Sequence, residues 1–338
     1  MAGSTDRQAE IGNLSELEAV IGKVPPAIHL KVIDHLDSHA LRWLAASPLL
    51  FAAFGTEGGM GVTLAGGDTG FAAADKAQLR LPLHALDDPE LAKPGAAFGS
   101  LALVPGIGET LRVNGRVADV RDGEARIEVR ECYLHCAKAL IRSGFWTAEP
   151  QPGEPKTDFV TDSRFMALAT MNADGEADLS PKGDPAGTMA HRQGDDLLFA
   201  DRPGNKKVDS FRNILARPPV AAVLMQPGTT RVAVITGRAT LTTDPDIRAA
   251  FEVQGKVPLL ATRVRELSIA LHDSPALTRA RLWPAASKAE GLNPATIFVD
   301  HLRINRSKSL TARVAGAVVS IPGMMESGLK RDYKTRLY

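Results

Sequence analysis

At 338 residues the chain has room for about two domains. Apolar residues make up 44% and aromatic residues 5%, so it can bury sizeable cores that are mostly aliphatic. Its 40 Lys and Arg against 39 Asp and Glu leave a formal charge of +1, which argues against a global electrostatic partner such as nucleic acid or an anionic membrane.

The opening residues, Met1 to Gln8, are polar and contain no apolar signal region. No uninterrupted apolar run approaches the roughly 20 residues of a membrane span. Cys132 and Cys136 do not make a disulfide framework. These features predict a soluble cytoplasmic protein with reduced thiols. Residues 14–22 predict a short helix closed by Gly22. Pro25-Pro26 predicts the start of a longer one, with Leu30, Ile33, Leu36, Ala40, Leu41 and Leu44 at three-to-four spacing and Pro48 as its stop. Residues 1–47 thus read as a helical lead-in. Leu49 to Phe54 is a buried-strand candidate, followed by a glycine-rich stretch from Gly55 to Gly70. Ser100 to Val104 and Thr110 to Val120 read as strands, and Asp122-Gly123 as a hairpin turn into Ala125 to Arg130. A helix is predicted from Leu134 to Trp146. The Pro- and charge-rich run that follows has no periodicity and reads as a linker, placed at 149–158.

Beyond the linker, the strand Phe165 to Met171 and the turn Asn172 to Gly175 lead through Glu176 to Leu179 into Ser180-Pro-Lys-Gly-Asp184. The strand Leu197 to Ala200 leads into Asp201-Arg-Pro-Gly-Asn-Lys-Lys-Val-Asp-Ser-Phe-Arg-Asn213. Both segments are polar and punctuated by glycine, which lets a backbone approach a ligand closely. Arg202, Lys206 and Lys207 supply cations; Asn205, Ser210 and Asn213 supply neutral donors. Clustered cations, hydroxyls and backbone N–H groups suit a phosphate dianion. The two segments therefore read as a phosphate cradle at the rim of a β-barrel; the plainer reading is two polar loops. Asp244 to Val253 predicts a helix with Pro245 in its first turn.

The second half repeats the first. Leu64 to Asp68 matches Ser180 to Asp184 at an offset of 116; Pro105-Gly106 and Gly115-Arg116 match Pro227-Gly228 and Gly237-Arg238 at 122; Ala139 to Trp146 matches Ala276 to Trp283 at 137. The copies differ in complementary ways. The second keeps Lys182 and the Arg202 to Asn213 run. The first keeps Thr110, Arg112, Asn114 and Arg116 on one face of a strand, where the second has Val232, Val234, Thr236 and Arg238. A symmetric dimer of such a unit carries two equivalent sites, and a fused pair needs to keep only one composite site.

These residues resemble the pyridoxamine 5′-phosphate oxidase-like FMN-binding split-barrel proteins. The resemblance rests on Ser180 to Asp184, Asp201 to Asn213, Pro105 to Arg116 and Leu134 to Leu140, and the ending Tyr333 to Tyr338 is also similar. It covers roughly residues 20–283. It implies a mainly β (α+β) fold: two tandem split barrels, 48–148 and 159–285, forming an internal pseudo-dimer with flanking helices and a tail at 286–338. It implies one FMN, with the phosphate on Arg202, Asn205, Lys206, Lys207 and Ser210. Lys182 and the backbone around Gly183 would approach the ring, and Arg112, Asn114 and Arg116 would reach across from the other barrel; Ser180, Asp184, Asn213 and Thr110 are further candidate cofactor-binding residues. Such a protein is expected to be a flavin-dependent oxidoreductase acting on a small molecule, with a reduced nicotinamide as a candidate donor and no nominated acid or base. It would act as a monomer or as a homodimer of the pseudo-dimer, without nucleic-acid or membrane partners. The alternative is a non-catalytic flavin, deazaflavin or haem carrier on the same scaffold. Cys132, His135 and Cys136 have no recognised zinc spacing, and His35 with His39 reads as a surface helix face, so no metal is expected.

Overall fold

The computed structural model describes residues 9–23, 30–151, 158–202, 208–285, 291–306 and 324–338. The chain opens with β1 (Glu10–Ile11) and α1 (Leu14–Ile21). Asn13 starts α1 by accepting from the Glu16 backbone N–H at 3.0 Å, and Glu16 returns the bond to Gly12 N at 2.7 Å. Gly22, at φ 77°, ends it as expected.

The next helix, α2 (Ser38–Ala46), is shorter than its apolar spacing predicts. Asp37 caps it by accepting from Ala40 N at 2.8 Å. Ahead of that cap Ile33 is extended, exchanging backbone bonds of 3.0 and 2.8 Å with Cys132. Ile33 and Leu36 are buried against the first sheet, so their spacing reflects a common core contact and not a helical face. His35 therefore precedes the helix that carries His39. Residues 24–29, where the longer helix was expected to begin, lie outside the described residues.

Two antiparallel sheets follow. The first contains β2 (Leu49–Thr56), β3 (Gly59–Gly66), β4 (Ala73–Ala74), β5 (Gln78–Pro82), β6 (Ala97–Leu103), β7 (Thr110–Arg121) and β8 (Glu124–His135), in the order β3-β2-β6-β7-β8-β5-β4. After α3 (Lys138–Arg142) and α4 (Phe159–Asp162) the second sheet contains β9 (Phe165–Met171), β10 (Ala177–Gly183), β11 (Ala190–Gln193) and β12 (Asp196–Ala200). Then come α5 (Asp209–Ala216), β13 (Pro219–Met225), β14 (Arg231–Thr242), α6 (Pro245–Ala249) and β15 (Ala261–Asp273). Its order is β10-β9-β13-β14-β15-β12-β11, the first sheet's order repeated strand for strand, with β1 added on β14. The fold is mainly β, with each sheet open in its hydrogen bonding. α7 (Pro275–Ala280), α8 (Pro294–Arg306) and α9 (Met324–Thr335) complete the chain. The predicted helix at 134–146 is cut to α3 because β8 continues through His135 and Gly144, at φ 59°, breaks the helical path.

The registers of the two sheets correspond. Thr110 pairs with His135 and Val232 with His272; Ala102 pairs with Leu111 and Leu224 with Ala233. These pairs reproduce the sequence offsets of 122 and 137. The earliest match shifts by one residue. Leu49 pairs with Gly66 and Phe165 with Gly183, because β2 and β3 join through Glu57-Gly58 whereas β9 and β10 join through a longer turn at 172–176. Gly183 thus corresponds to Gly66, and Lys182 to Ala65.

β2 is buried on both faces, which is why it reads as a continuous apolar run. Leu50, Ala52 and Phe54 fill the first sheet's own core, while Leu49, Phe51 and Ala53 join a core shared with the second sheet. β9 does the same: Met166 and Leu168 face inward, and Phe165, Ala167 and Ala169 face the shared core. The Phe51 and Phe165 ring centroids lie 5.5 Å apart across that boundary.

Candidate functional site

A cavity of about 500 Å³ opens where the end of β10, the residues after β12 and the start of α5 meet α3 from the first half. Ser180, Lys182, Gly183, Asp184, Arg202 and Ser210 all line it. Ser180-Pro-Lys-Gly183 is not a loop: it is the end of β10, paired with β9 from Leu168 to Phe165. Strand alternation therefore sets Ser180 and Lys182 on one face.

Gly183 is required by a close approach. A Cβ there would lie 2.0 Å from the Ala139 carbonyl oxygen of α3. Its own carbonyl accepts from Arg142 Nε at 2.8 Å, so α3 is held against the strand. Asp184 follows, 2% exposed, with Oδ2 accepting from Arg202 Nε at 2.7 Å and Oδ1 lying 3.4 Å from Arg142 Nε. Burial pushes the Asp184 carboxyl above its ordinary value, and the Arg202 and Arg142 guanidiniums offset this only in part. Burial likewise draws the Arg142 guanidinium down, against the pull of Asp184. Lys182 Nζ lies 3.5 Å from Asp201 Oδ1 and over the rings of Phe199 and Phe211, at 5.6 and 5.3 Å. Burial raises the Asp201 carboxyl too, with Lys182 the leading opposing charge.

Arg202 is itself buried, yet its Nη2 finds no hydrogen-bond partner among the described residues. A buried guanidinium donor left unmatched at a cavity wall suits an incoming acceptor. The lining adds Lys23, Lys138, Arg142, Lys182 and Lys256 to Arg202, against Asp184 and Asp201, so the cavity is suited to an anion. Asn205, Lys206 and Lys207 lie outside the described residues; Arg202 and Val208, on either side of that run, both line the cavity.

The remaining predicted residues do not line it. Asn213 donates Nδ2 to Thr170 Oγ1 at 3.0 Å, fastening α5 to β9. Thr110 is fully buried. Arg112, Asn114 and Arg116 do reach across to the other half, but they end on protein. Arg112 donates to Asp178 Oδ1 at 2.7 Å, to the Tyr133 hydroxyl at 2.5 Å, to Ser180 Oγ at 3.2 Å and to the Leu179 carbonyl. Burial alone would lower the Arg112 pKa; Asp178, then Tyr133, more than offset that and move it upward. Asn114 donates to Asp178 and Glu131 at 3.2 and 3.1 Å, and Arg116 to the Gly95 and Gly175 carbonyls at 2.7 and 3.1 Å. The row therefore clamps the β9–β10 hairpin, and touches the cavity only through Ser180.

Sequence reasoning passed over Arg142, Lys138 and Tyr338, as well as Lys23 and Lys256. Arg142 carries a signal, since the repeat pairs it with Arg279. Lys138 and Tyr338 lie in the Leu134 to Leu140 and Tyr333 to Tyr338 stretches that carry the resemblance, without being singled out there. The Tyr338 ring sits 5.9 Å from the Arg142 guanidinium and 5.6 Å from that of Arg202. Its segment is held by Lys138, which pairs with Asp332 at 2.9 Å and donates to the Arg336 carbonyl at 2.8 Å.

The corresponding place in the first half is a second cavity of about 670 Å³. Arg279 Nε donates to the Gly66 carbonyl at 2.9 Å, as Arg142 does to Gly183. A Cβ on Gly66 would meet the Ala276 carbonyl oxygen at 2.3 Å. The cations differ: Ala65 and His84 occupy the register positions of Lys182 and Arg202. There Arg281 pairs with Asp68 at 2.5 Å.

Residues 155–275 match the family model described as Pyridoxamine 5′-phosphate oxidase. No curated protein matches the chain. Among solved structures, the chain is similar to HupZ of Group A Streptococcus, with 14% identity over 33% of this chain and 88% of that one and a TM-score of 0.28. It is similar to an F420 reductase, with 19% identity over 35% of this chain and 98% of that one and a TM-score of 0.26. It is also similar to General Stress Protein 26 from Bacillus anthracis str. Sterne, with 12% identity over 34% of this chain and 92% of that one and a TM-score of 0.27. The matched residues span β9 to β15 and include Ser180, Lys182, Gly183, Asp184, Arg202 and Ser210 of the cavity wall.

Proposed function

We propose that the chain is an FMN-dependent oxidoreductase acting on a small molecule, with one FMN held in the 500 Å³ cavity between its two halves. The observation that carries this is Arg202: a buried guanidinium whose Nη2 is unmatched among the described residues, at the wall of a cationic cavity, inside the segment that matches the family model. Bound FMN supplies the electron-transfer chemistry; the protein supplies binding, orientation and electrostatics.

Arg202 and Ser210 hold the phosphate, together with Asn205, Lys206 and Lys207, which enter from the sequence pattern alone. Lys182 stands at the ring, kept in place by Asp201 and the faces of Phe199 and Phe211. Its positive charge favours electron density on a bound ring. Gly183 lets α3 close on the site, and Asp184 orients Arg202 through Nε, leaving the other end of the guanidinium for the ligand. Arg112 and Asn114 are positioning residues that hold β10 from the opposite half.

The matching strand orders and registers support a duplicated unit, with barrels at 48–148 and 159–285, a linker at 149–158 and a tail at 286–338. The missing cations at Ala65 and His84 support one cofactor per chain. We place the protein in the cytoplasm, as a monomer or a homodimer, drawing electrons from a reduced nicotinamide. The test is the visible spectrum of the purified protein, mass spectrometry of what heat releases, and turnover with reduced nicotinamide. A two-banded flavin spectrum, about one FMN per chain and turnover are expected. Tight FMN without turnover would make it a carrier. A colourless protein that refuses FMN would overturn the reading.

A further inference from the structure

The two halves share strand order, and the connection in which they differ most is the one between their two longest strands. β7 and β8 are joined by the tight turn Asp122-Gly123, whereas 18 residues, 243–260, separate β14 from β15. This insertion is a packed element. Asp244 caps α6 by accepting from Asp246 and Ile247 N–H at 2.9 and 3.1 Å. Ile247 and Phe251 bury against Leu198 and Ala200 of β12. Arg248 Nε donates to the Pro258 carbonyl at 2.7 Å, and Val253 and Lys256 close a turn through backbone bonds of 3.1 and 2.9 Å.

Held in this way, the insertion turns Lys256, Val257, Pro258 and Leu259 into the wall of the cavity. Val257 is 41% and Leu259 56% exposed, two of the few large apolar side chains left so open among the described residues. The same cavity is lined by the cations Lys182, Arg142 and Arg202. A ligand that met both walls would need an apolar body to cover Val257 and Leu259, and an acidic group to satisfy the cations. The connection between β7 and β8 offers the second cavity no such wall.

We propose that residues 243–260 form the substrate-side wall of the cavity and select a small molecule with an apolar body and a negatively charged group. This rests on the reading that the same cavity holds FMN at Arg202. Val257 and Leu259 lie outside the phosphate residues, so changes in them affect the substrate and leave the cofactor alone.

The experiment is fluorescence titration of the full chain with three probes of one shape: 2-naphthoate, neutral 2-naphthalenemethanol and cationic 2-naphthylmethylamine. Each is titrated with and without saturating FMN. Naphthoate should bind at least about tenfold more tightly than either isostere. Leu259→Ser and Val257→Ser should weaken all three probes by about three- to tenfold with FMN affinity unchanged, and Lys256→Glu should weaken naphthoate alone among the probes by a similar factor. Equal binding of the three probes, or naphthoate binding indifferent to all three substitutions, would overturn the proposal. If FMN fails to bind while naphthoate shows this pattern, the cofactor reading falls and the wall stands. If FMN binds and naphthoate does not, the wall falls alone.

Discussion

Arg112 Nη1 donates to Asp178 Oδ1 at 2.7 Å across the boundary between the two sheets, with side chains only 1% and 9% exposed. Breaking a buried pair strands the remaining charge, whereas replacing both members with apolar side chains removes the desolvation cost as well. Arg112→Met should therefore cost about 3–5 kcal/mol, and Arg112→Met with Asp178→Leu should recover most of it. Urea unfolding of the wild type, single and double variants measures this. A single variant within about 0.5 kcal/mol of the wild type would show that the clamp is dispensable.

Gly183→Ala and Gly66→Ala test the correspondence of the halves. In each case the new methyl would meet a helix carbonyl, at 2.0 Å from Ala139 O and 2.3 Å from Ala276 O. Neither neighbour is a flexible side chain, so each substitution should cost on the order of 1–3 kcal/mol. Only Gly183→Ala should also weaken FMN binding, since it displaces α3 and Arg142 from the cavity. Thermal unfolding and flavin titration of the two variants separate the effects; equal loss of flavin in both would restore a second site at Gly66.

Arg202→Ala removes one charge-assisted contact and should cost about 1.5–3 kcal/mol of FMN affinity, or one to two decades in Kd. Arg202→Lys should recover part of it, because the charge returns without the second guanidinium donor. Flavin fluorescence titration reads both. Wild-type affinity in Arg202→Ala would remove Arg202 from the site.

Asp37 couples acid stability to the helix that follows it. Burial alone would raise its pKa, but the His301 imidazole 3.5 Å away, the hydrogen bond from Ala40 N and the charge of His39 bring it below its ordinary value of 3.8. A depressed carboxylate contributes stability that is present above 3.8 and lost as pH falls through the lower folded value. Asp37→Asn keeps the cap, so it should be about as stable as the wild type at the acid end and less stable near neutrality. Asp37→Ala should cost about 1 kcal/mol more, from the lost cap. Denaturant unfolding between pH 2 and 7 checks this; parallel pH profiles for the wild type and Asp37→Asn would show that the charge plays no part.

Local chemistry made much of the architecture legible. The turn at Asp122-Gly123, the caps of α1 and the doubly buried run of β2 are short-range features, and the offsets of 122 and 137 reappear as strand register. The residue types of Ser180 to Asp184, with Arg202 and Ser210, read as one cradle, and Ser180, Lys182, Gly183, Asp184, Arg202 and Ser210 line one cavity. What the sequence could not express was which polar residues would meet each other instead of a ligand. Thr110, Arg112, Asn114 and Arg116 share a strand face either way. Only the docking of the two sheets aimed that face at Asp178 and Gly175, where buried charge must be matched by charge. Apolar periodicity likewise misjudged 25–36, because a core contact and a helical face repeat alike until the Ile33–Cys132 bridge decides between them. Composition and pattern determined a mainly β chain whose two halves share sequence offsets, with a cation-rich segment in the second half. Tertiary packing decided that Arg142, Lys138 and Tyr338 join that segment and that Asn213 leaves it, since proximity across distant chain segments is set by packing and not by spacing along the chain.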